Sequence, residues 1–219
     1  MANNAKRVLI FRTGSLGDTV VALPCFHLIA RAFPEAERRL LTSVPIHPKA
    51  VAPSAILENT GLVHGYWNYD PKKWGMVEAL RLRRTIREWH PDVLIYLAEP
   101  RGVFGTWRDV LFFKSCGIPT LIGVPSTKDL RENRWIAEKK CFEHESQRLA
   151  RCLKVLGDAR LDERSSWDLG FTREEEAVAD QCLEAWEARG EFFVSQNGLK
   201  SIQKKLKRKD NPLLQCLLR

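Results

Sequence analysis

The stretch that most constrains this chain lies near its amino end. Val8-Leu9-Ile10-Phe11 is a continuous apolar run, not an alternating one, as expected of a strand buried on both faces of a parallel sheet. It leads into Thr13-Gly14-Ser15-Leu16-Gly17-Asp18, a turn of mostly small residues, and then into an apolar helix expected from Thr19 to about Ala32. Strand, small-residue loop and helix form the opening unit of a layered α/β fold.

The same alternation continues along the chain. Leu40 to Val44, Val63 to Tyr69, Asp92 to Ala98 and Pro119 to Val124 read as further strands. Gly75 to Trp89 reads as an amphipathic helix with Ala79, Leu82, Ile86 and Trp89 on one face. A polar stretch to about Lys140 precedes a helix from Glu143 to Leu156, with Leu149, Cys152, Leu153 and Leu156 as its stripe and Gly157 as its C-cap. Thr172-Arg173-Glu174-Glu175 is a capping-box pattern opening a last helix that ends at Gly190, and Phe192-Phe193-Val194 reads as one more strand. The expected class is α/β, a Rossmann-like parallel sheet covered by helices.

Composition excludes several alternatives. With 44% hydrophobic residues in 219, the chain can pack a core, which rules out wholesale disorder. Its net charge of +8 is uneven: Gln196 to Arg219 carry seven bases and one acid, leaving 28 bases against 26 acids in the rest. The body is nearly neutral, so a basic pI does not imply nucleic-acid binding, and no specific nucleic acid is expected as a partner. Six cysteines at 25, 116, 141, 152, 182 and 216 lack CxxC or zinc-ligand spacing and read as reduced, mostly packed thiols. Arg12 interrupts the first apolar run far short of a secretory or membrane-spanning length, which places the protein in the cytoplasm.

In an open parallel sheet, ligands bind beyond the carboxyl ends of the strands, which is where the Thr13 to Asp18 loop falls. Gly14 and Gly17 allow close backbone approach, Ser15 offers a hydroxyl, and Asp18 is a carboxylate at a helix start. The loop lacks both the GxGxxG spacing and the Gly-Lys-Ser/Thr of a P-loop. On these residues alone, Asp18 reads equally as an N-cap and as a catalytic group.

The run RVLIFRTGSLGDTVVALPCFHLIARAFPEA, the following LLTSVPIHPKAVAPSAILENTGLVHGYWNYD, and HESQR at His144 to Arg148 together resemble glycosyltransferase family 9. These are the bacterial ADP-heptose:lipopolysaccharide heptosyltransferases and their relatives. The resemblance covers about residues 7 to 195, the amino-terminal half of such a protein. It implies the acceptor-binding domain of a GT-B glycosyltransferase, with a second Rossmann-like domain holding most of the nucleotide-sugar. It also implies that Asp18 is the general base for a direct, inverting and metal-independent displacement, with ADP-heptose as substrate and no cofactor.

The implied acceptors are lipid-linked anionic saccharides, for which cations facing the cleft are expected. The acceptor-binding set expected here is Thr13, Gly14, Ser15, Gly17, Arg101, Arg131, His144 and Arg148. Arg101 and Arg108 fall in what reads as the loop after the strand at 92 to 98, and Arg108 and Lys128 read as solvated surface charges. Trp67 and Trp74 flank a strand end and could line an acceptor groove, although burial accounts for them as well. Cys25, inside an apolar helix with no nearby base, reads as packing.

The expected organisation is an acceptor domain over residues 1–170, an interdomain helix and the first strand of a donor domain over 171–195, and a basic tail over 196–219 that departs from the family pattern. On this reading the chain is a truncated form with little transfer activity, and it engages a nucleotide-sugar only if a donor domain is supplied. Its alternatives are a stand-alone acceptor-binding module, one subunit of a split enzyme, a small intact Rossmann enzyme, or a binder of anionic polymers or membrane surfaces through the tail. Peripheral contact with the cytoplasmic face of the inner membrane is a further expectation.

Overall fold

A computed structural model describes residues 5–44 and 53–187. The chain divides into two compact units, Met1–Gly170 and Phe171–Arg219. In the first unit five strands, β1 (Arg7–Phe11), β2 (Glu37–Ser43), β3 (Gly65–Tyr69), β4 (Val93–Tyr96) and β5 (Thr120–Ile122), form one sheet in the order β3-β2-β1-β4-β5. Every pairing in it is parallel, with Val8 of β1 opposite Arg38 of β2 and Val93 of β4. This is the α/β, Rossmann-like sheet expected from the sequence. The chain leaves β1 in one direction through β2, the short helix α3 (Ser54–Leu57) and β3, then returns to place β4 on the other side. The carboxyl ends of β1 and β4 therefore flank the topological switch point, where open α/β sheets bind ligands.

Successive residues of β1 point to opposite faces and so divide the core in two. Val8 and Ile10 join Leu40, Val93 and Ile95 beneath α2 (Leu23–Ala32) and α7 (Glu145–Cys152). Leu9 and Phe11 join Leu41, Leu94 and Tyr96 with residues of α4 (Met76–Trp89) and α5 (Gly102–Ser115). On α4 the buried residues are Leu82, Ile86 and Trp89, on the face that the sequence spacing predicts.

The structure corrects the sequence reading in three places. The helix expected from Thr19 starts earlier and is broken: α1 spans Leu16–Val21 and α2 begins at Leu23. Pro24, in the first turn of α2, has no N–H to continue the ladder from the preceding turn, so the chain restarts at Ala22. The loop after β4 ends at Arg101, as expected, which is the N-cap residue of the 14-residue helix α5; Arg108 lies inside that helix and not in the loop. The polar stretch after β5 holds a short helix, α6 (Lys128–Arg131), and an antiparallel pair, β6 (Trp135–Ile136) with β7 (Cys141–Phe142), closed by the Trp135 and Phe142 rings 5.1 Å apart.

The helix read as Glu143 to Leu156 is α7 followed by a 3-10 turn over Lys154–Leu156, ending at Gly157 with φ +122°. In the second unit, α8 spans Arg173–Glu187, and Thr172 and Glu175 exchange the two hydrogen bonds of the capping box at its start. The expected helix end at Gly190, the strand at Phe192 to Val194 and the basic tail over 196–219 lie outside the described residues. Cys25, Cys116, Cys141 and Cys152 form no disulfide; burial pushes the Cys25 thiol up to about 12 and the Cys116 thiol to about 11, as expected of packed and unreactive groups.

Candidate active site

Beyond β1 the chain turns at Gly14, whose φ of +127° favours glycine. A β-carbon there would stand 2.6 Å from Asp18 Oδ2 and 2.7 Å from Asp18 Cβ, so the missing side chain makes room for the carboxylate itself. Gly17 has no such constraint, since a β-carbon would meet only Ser15 Oγ at 3.8 Å. Ser15, not Asp18, is the N-cap of α1, and Asp18 is the third helical residue. Its Oδ2 accepts the Ser15 N–H at 2.5 Å and the Ser15 hydroxyl at 2.8 Å, one half of a capping box.

The two meanings that Asp18 carries in the sequence are thus divided between its oxygens. Oδ2 serves the helix start. No hydrogen bond from another residue reaches Oδ1 among the described residues. Burial pushes the carboxyl pKa up, but the two Ser15 donors and the Arg12 charge outweigh it and hold the group below the usual aspartate value. The side chain is therefore ionised at neutral pH.

Beneath the turn lies Arg12, only 1% exposed, which the sequence reading passed over. Its Nη1 donates to the Leu97 carbonyl at 2.6 Å and its Nη2 to the Asp18 carbonyl at 2.8 Å, tying the start of α1 to the end of β4. Burial lowers its pKa against the raising influence of Asp18, Glu145 and Glu99. Nothing local in the sequence marks such an arginine, because its partners are brought together only by the sheet.

From the other side of the switch point comes Arg101, at the N-cap of α5. Its Nη2 donates to Tyr69 Oη at 3.1 Å and to Thr13 Oγ1 at 3.4 Å, and its guanidinium lies over the Phe11 ring at 5.6 Å. Gly105 leaves it room: a β-carbon there would stand 2.6 Å from Arg101 Cβ. Asp109, a buried carboxylate, accepts the Tyr96 hydroxyl at 3.0 Å and pairs with Arg108 at 2.9 Å and with Arg101 at 3.7 Å. One carboxylate thus orients two guanidinium groups, and neither it nor Tyr69 stands out in the sequence.

These groups surround a cleft of about 920 Å³. Thr13, Gly14, Ser15, Asp18, Glu99 and Arg101 form its polar end, and Phe11, Tyr69, Trp74, Ala79, Leu82 and Phe112 its apolar wall. Trp74 keeps 40% of its surface and packs edge-on against Tyr69 and Phe112, so it lines the cleft and is not buried. Trp67 is partly buried against Trp89 and the Arg39 guanidinium. Arg108 is an exposed charge, as expected from the sequence, and it also borders the cleft. Lys128 is exposed and pairs loosely with Glu132.

The other expected acceptor residues are placed elsewhere. Gly17 is exposed on α1, and neither it, Arg131, His144 nor Arg148 lines the cleft. Arg131 bonds the Ser126 carbonyl beside a smaller groove of about 410 Å³ between α5 and β5. His144 is the exposed N-cap residue of α7. Arg148, the fourth helical residue of α7, is 1% exposed, pairs with Glu145 at 2.5 Å and donates to the Leu130 carbonyl at 2.8 Å. The helical spacing of the His144 and Arg148 pair does not bring them to one task, because one faces solvent and the other the core. Among the described residues, no three His, Cys, Asp or Glu side chains converge as a metal site.

No family model and no curated protein matches the sequence. Solved structures do match. The crystal structure of the glycosyl transferase family 9 from Veillonella parvula DSM 2008 is 15% identical, with a TM-score of 0.50 over 90% of this chain and 52% of that one. E. coli heptosyltransferase WaaC with ADP is 16% identical over 69% of this chain and 47% of that one, with a TM-score of 0.41. The same enzyme with ADP-2-deoxy-2-fluoro heptose is 17% identical over 69% and 48%, with a TM-score of 0.37. The chain spans about half the length of the solved structures it matches. At these identities the likeness defines a class of fold, the α/β Rossmann-like sheet that the strand order shows.

Proposed function

We propose that this chain is the acceptor-binding part of a family 9 glycosyltransferase. The reaction we assign is transfer of heptose from ADP-heptose to a lipid-linked anionic saccharide of the lipopolysaccharide core type, by metal-independent inverting displacement. One observation carries the reading: an ionised Asp18 at the sheet's switch point, with Oδ2 held by Ser15 and Oδ1 free of hydrogen bonds from other described residues, at the polar end of a cleft that also contains Arg101. The acceptor hydroxyl attacks the anomeric carbon of the donor sugar and forms the new C–O bond. The bond from that carbon to the ADP phosphate oxygen breaks, and ADP leaves with the electron pair. The hydroxyl proton passes to Asp18 Oδ1.

Arg101 supplies a fixed guanidinium for a phosphate or sugar carboxylate of the acceptor, and Trp74 and Phe112 supply an apolar wall for its ring faces. The nucleotide-sugar is held between this cleft and a donor domain. Transfer is therefore assigned to the chain joined to such a domain, since it requires both substrates in line.

The test compares transfer from ADP-heptose to a lipid-linked acidic saccharide by the chain alone and by the chain with a donor domain supplied, each as wild type and as Asp18→Asn. The Asn variant is expected to lose about 10²- to 10⁴-fold in kcat, with acceptor affinity unchanged. Arg101→Ala is expected to weaken acceptor binding. Equal activity of Asp18→Asn and wild type would end the general-base assignment. Acceptor binding with no transfer by either form would favour the stand-alone binding module.

A further inference from the structure

The cleft is not the strongly cationic surface that a multiply charged acceptor would need. Among the described residues that line it are three carboxylates, Asp18, Glu99 and Asp109, and two guanidinium groups, Arg101 and Arg108. Both arginines share Asp109, with Arg108 at 2.9 Å from its Oδ1 and Arg101 at 3.7 Å from its Oδ2. The buried Arg12 beneath the turn offsets one more negative charge, but at 1% exposed it is out of a ligand's reach. Summed over these groups the polar end is close to neutral, and Arg101 is the guanidinium that stands within it.

Glu99 is the one cleft carboxylate without a task. Asp18 is held by Ser15, and Asp109 by the Tyr96 hydroxyl and the two arginines. The Glu99 carboxylate makes no hydrogen bond or ion pair among the described residues. It lies three residues past β4, after the buried Leu97 and Ala98 and before Pro100 and Arg101. Proline fixes its own φ and restricts the residue before it, so Pro100 stiffens the short connection that carries both Glu99 and Arg101. Arg101 nevertheless turns to Tyr69, Thr13 and Asp109, which leaves its near neighbour in the chain uncompensated. Glu99 and Asp18 both raise the pKa of Arg12, so the Glu99 charge is felt at the Asp18 turn. A carboxylate so placed accepts hydrogen bonds from hydroxyls and opposes any anion brought beside it.

We infer that Glu99 is a specificity residue of the cleft. It accepts hydrogen bonds from the hydroxyls of an uncharged sugar ring, and it turns away acceptors that bring a second anionic group beside the one bound by Arg101. The acceptor is thereby narrowed to a saccharide with a single anionic group close to the reacting hydroxyl, with its ring face on Trp74 and Phe112. This rests on the acceptor reading of the cleft and narrows it, and it asks nothing further of Asp18.

The experiment is titration calorimetry of the full chain with hexyl glucoside, hexyl glucuronide and hexyl glucuronide 4-phosphate. The wild type should bind the glucuronide about tenfold more tightly than the glucoside, through a charge-assisted hydrogen bond that Arg101→Ala removes. It should bind the phosphorylated glucuronide about tenfold more weakly than the glucuronide, and the gap should narrow at high salt. In Glu99→Gln the phosphorylated probe should gain about tenfold relative to the glucuronide, because the amide keeps the shape and loses the repulsion. The urea midpoint should stay at the wild-type value, since the side chain is exposed and has no partner to lose. Glu132→Gln, which changes the net charge equally but lies outside the cleft, should leave every ratio as it is.

The inference is overturned by a wild type that binds the phosphorylated glucuronide as tightly as the glucuronide, by an unchanged ratio in Glu99→Gln, or by an equal change in Glu132→Gln. Tighter binding of hexyl glucosaminide than of the glucuronide, lost in Glu99→Gln, would assign Glu99 to an ammonium group and overturn it too. In each of these cases glucuronide binding that depends on Arg101 survives, and the acceptor reading with it. Binding of no probe at all, by wild type or variant, would end both.

Discussion

The two faces of the central sheet are built from neighbouring residues of the same strands, yet they end differently. Under α2 and α7 the contacts are mostly aliphatic and closed, from Val8 and Ile10 through Phe26 and Ile29 to Leu149 and Leu153. Under α4 and α5 they turn aromatic, through Phe11, Tyr69, Tyr96 and Phe113, and open into the cleft. The closed face carries stability and holds the turn after β1 in place from below. The open face leaves space above the carboxyl ends of β1 and β4, where a ligand can meet Asp18 and Arg101.

That contrast is most easily broken by truncation. Phe26→Ala on the closed face should cost about 3–5 kcal/mol in urea denaturation, since the side chain is fully buried and its neighbours cannot collapse into the space. A cost below about 1 kcal/mol would show that this face is as loosely packed as the other. The ion pair of the buried Arg148 ranks next: Arg148→Met leaves Glu145 without its charged partner and should cost about 2–3 kcal/mol, less than for a fully buried pair because Glu145 retains some exposure and still accepts from Asn133. Much of that loss should return in Arg148→Met/Glu145→Leu.

At the boundary between the faces, Asp18→Asn should cost about 1 kcal/mol at pH 7 through the weakened capping box. Its sign with pH is definite. The folded pKa of Asp18 lies below the usual aspartate value of 3.8, so its contribution is fully present above that value and is lost as pH falls through the folded pKa. Denaturation of the two proteins should therefore converge in acid and stay apart at neutral pH. Smallest is Phe104→Ser on the outer surface of α5, expected to change stability by no more than about 0.5 kcal/mol. A larger loss would mean that this side chain is packed in solution.

How legible each part was in the sequence follows from how local its cause is. Strands β1 and β4 announce themselves as contiguous apolar runs bounded by turn residues, whereas β2 shows only Leu40 and Leu41 after the charged Glu37, Arg38 and Arg39, so its start is missed; parallel pairing follows from the helices between the strands. Helix α5 does not, because Gly102 and Gly105 break its propensity and its apolar residues face both the core and the solvent, leaving no stripe to count. Gly14 and Asp18 are visible as a pair at the right place, but their division of labour is not, since it depends on which residue becomes the N-cap. Arg148 misleads for a related reason: helical spacing links it to His144, while the nearby core decides which way it points. Arg12 is the least legible, because the Leu97 carbonyl that holds it lies 85 positions away.

The edge of the sheet carries a consequence for how copies of the molecule meet. Strand β5 has only three residues, set between Pro119 and Pro125. Gly123, just past it with φ +83°, folds the backbone so closely over β4 that a β-carbon would stand 2.7 Å from the Tyr96 carbonyl oxygen. So short an outer strand gives an incoming chain almost no ladder to extend, and Pro119, immediately before it, has no amide to offer. Crowded or partly unfolded samples should therefore resist growth of cross-strand aggregates from this border, and precipitation under stress should begin at greasy helix surfaces.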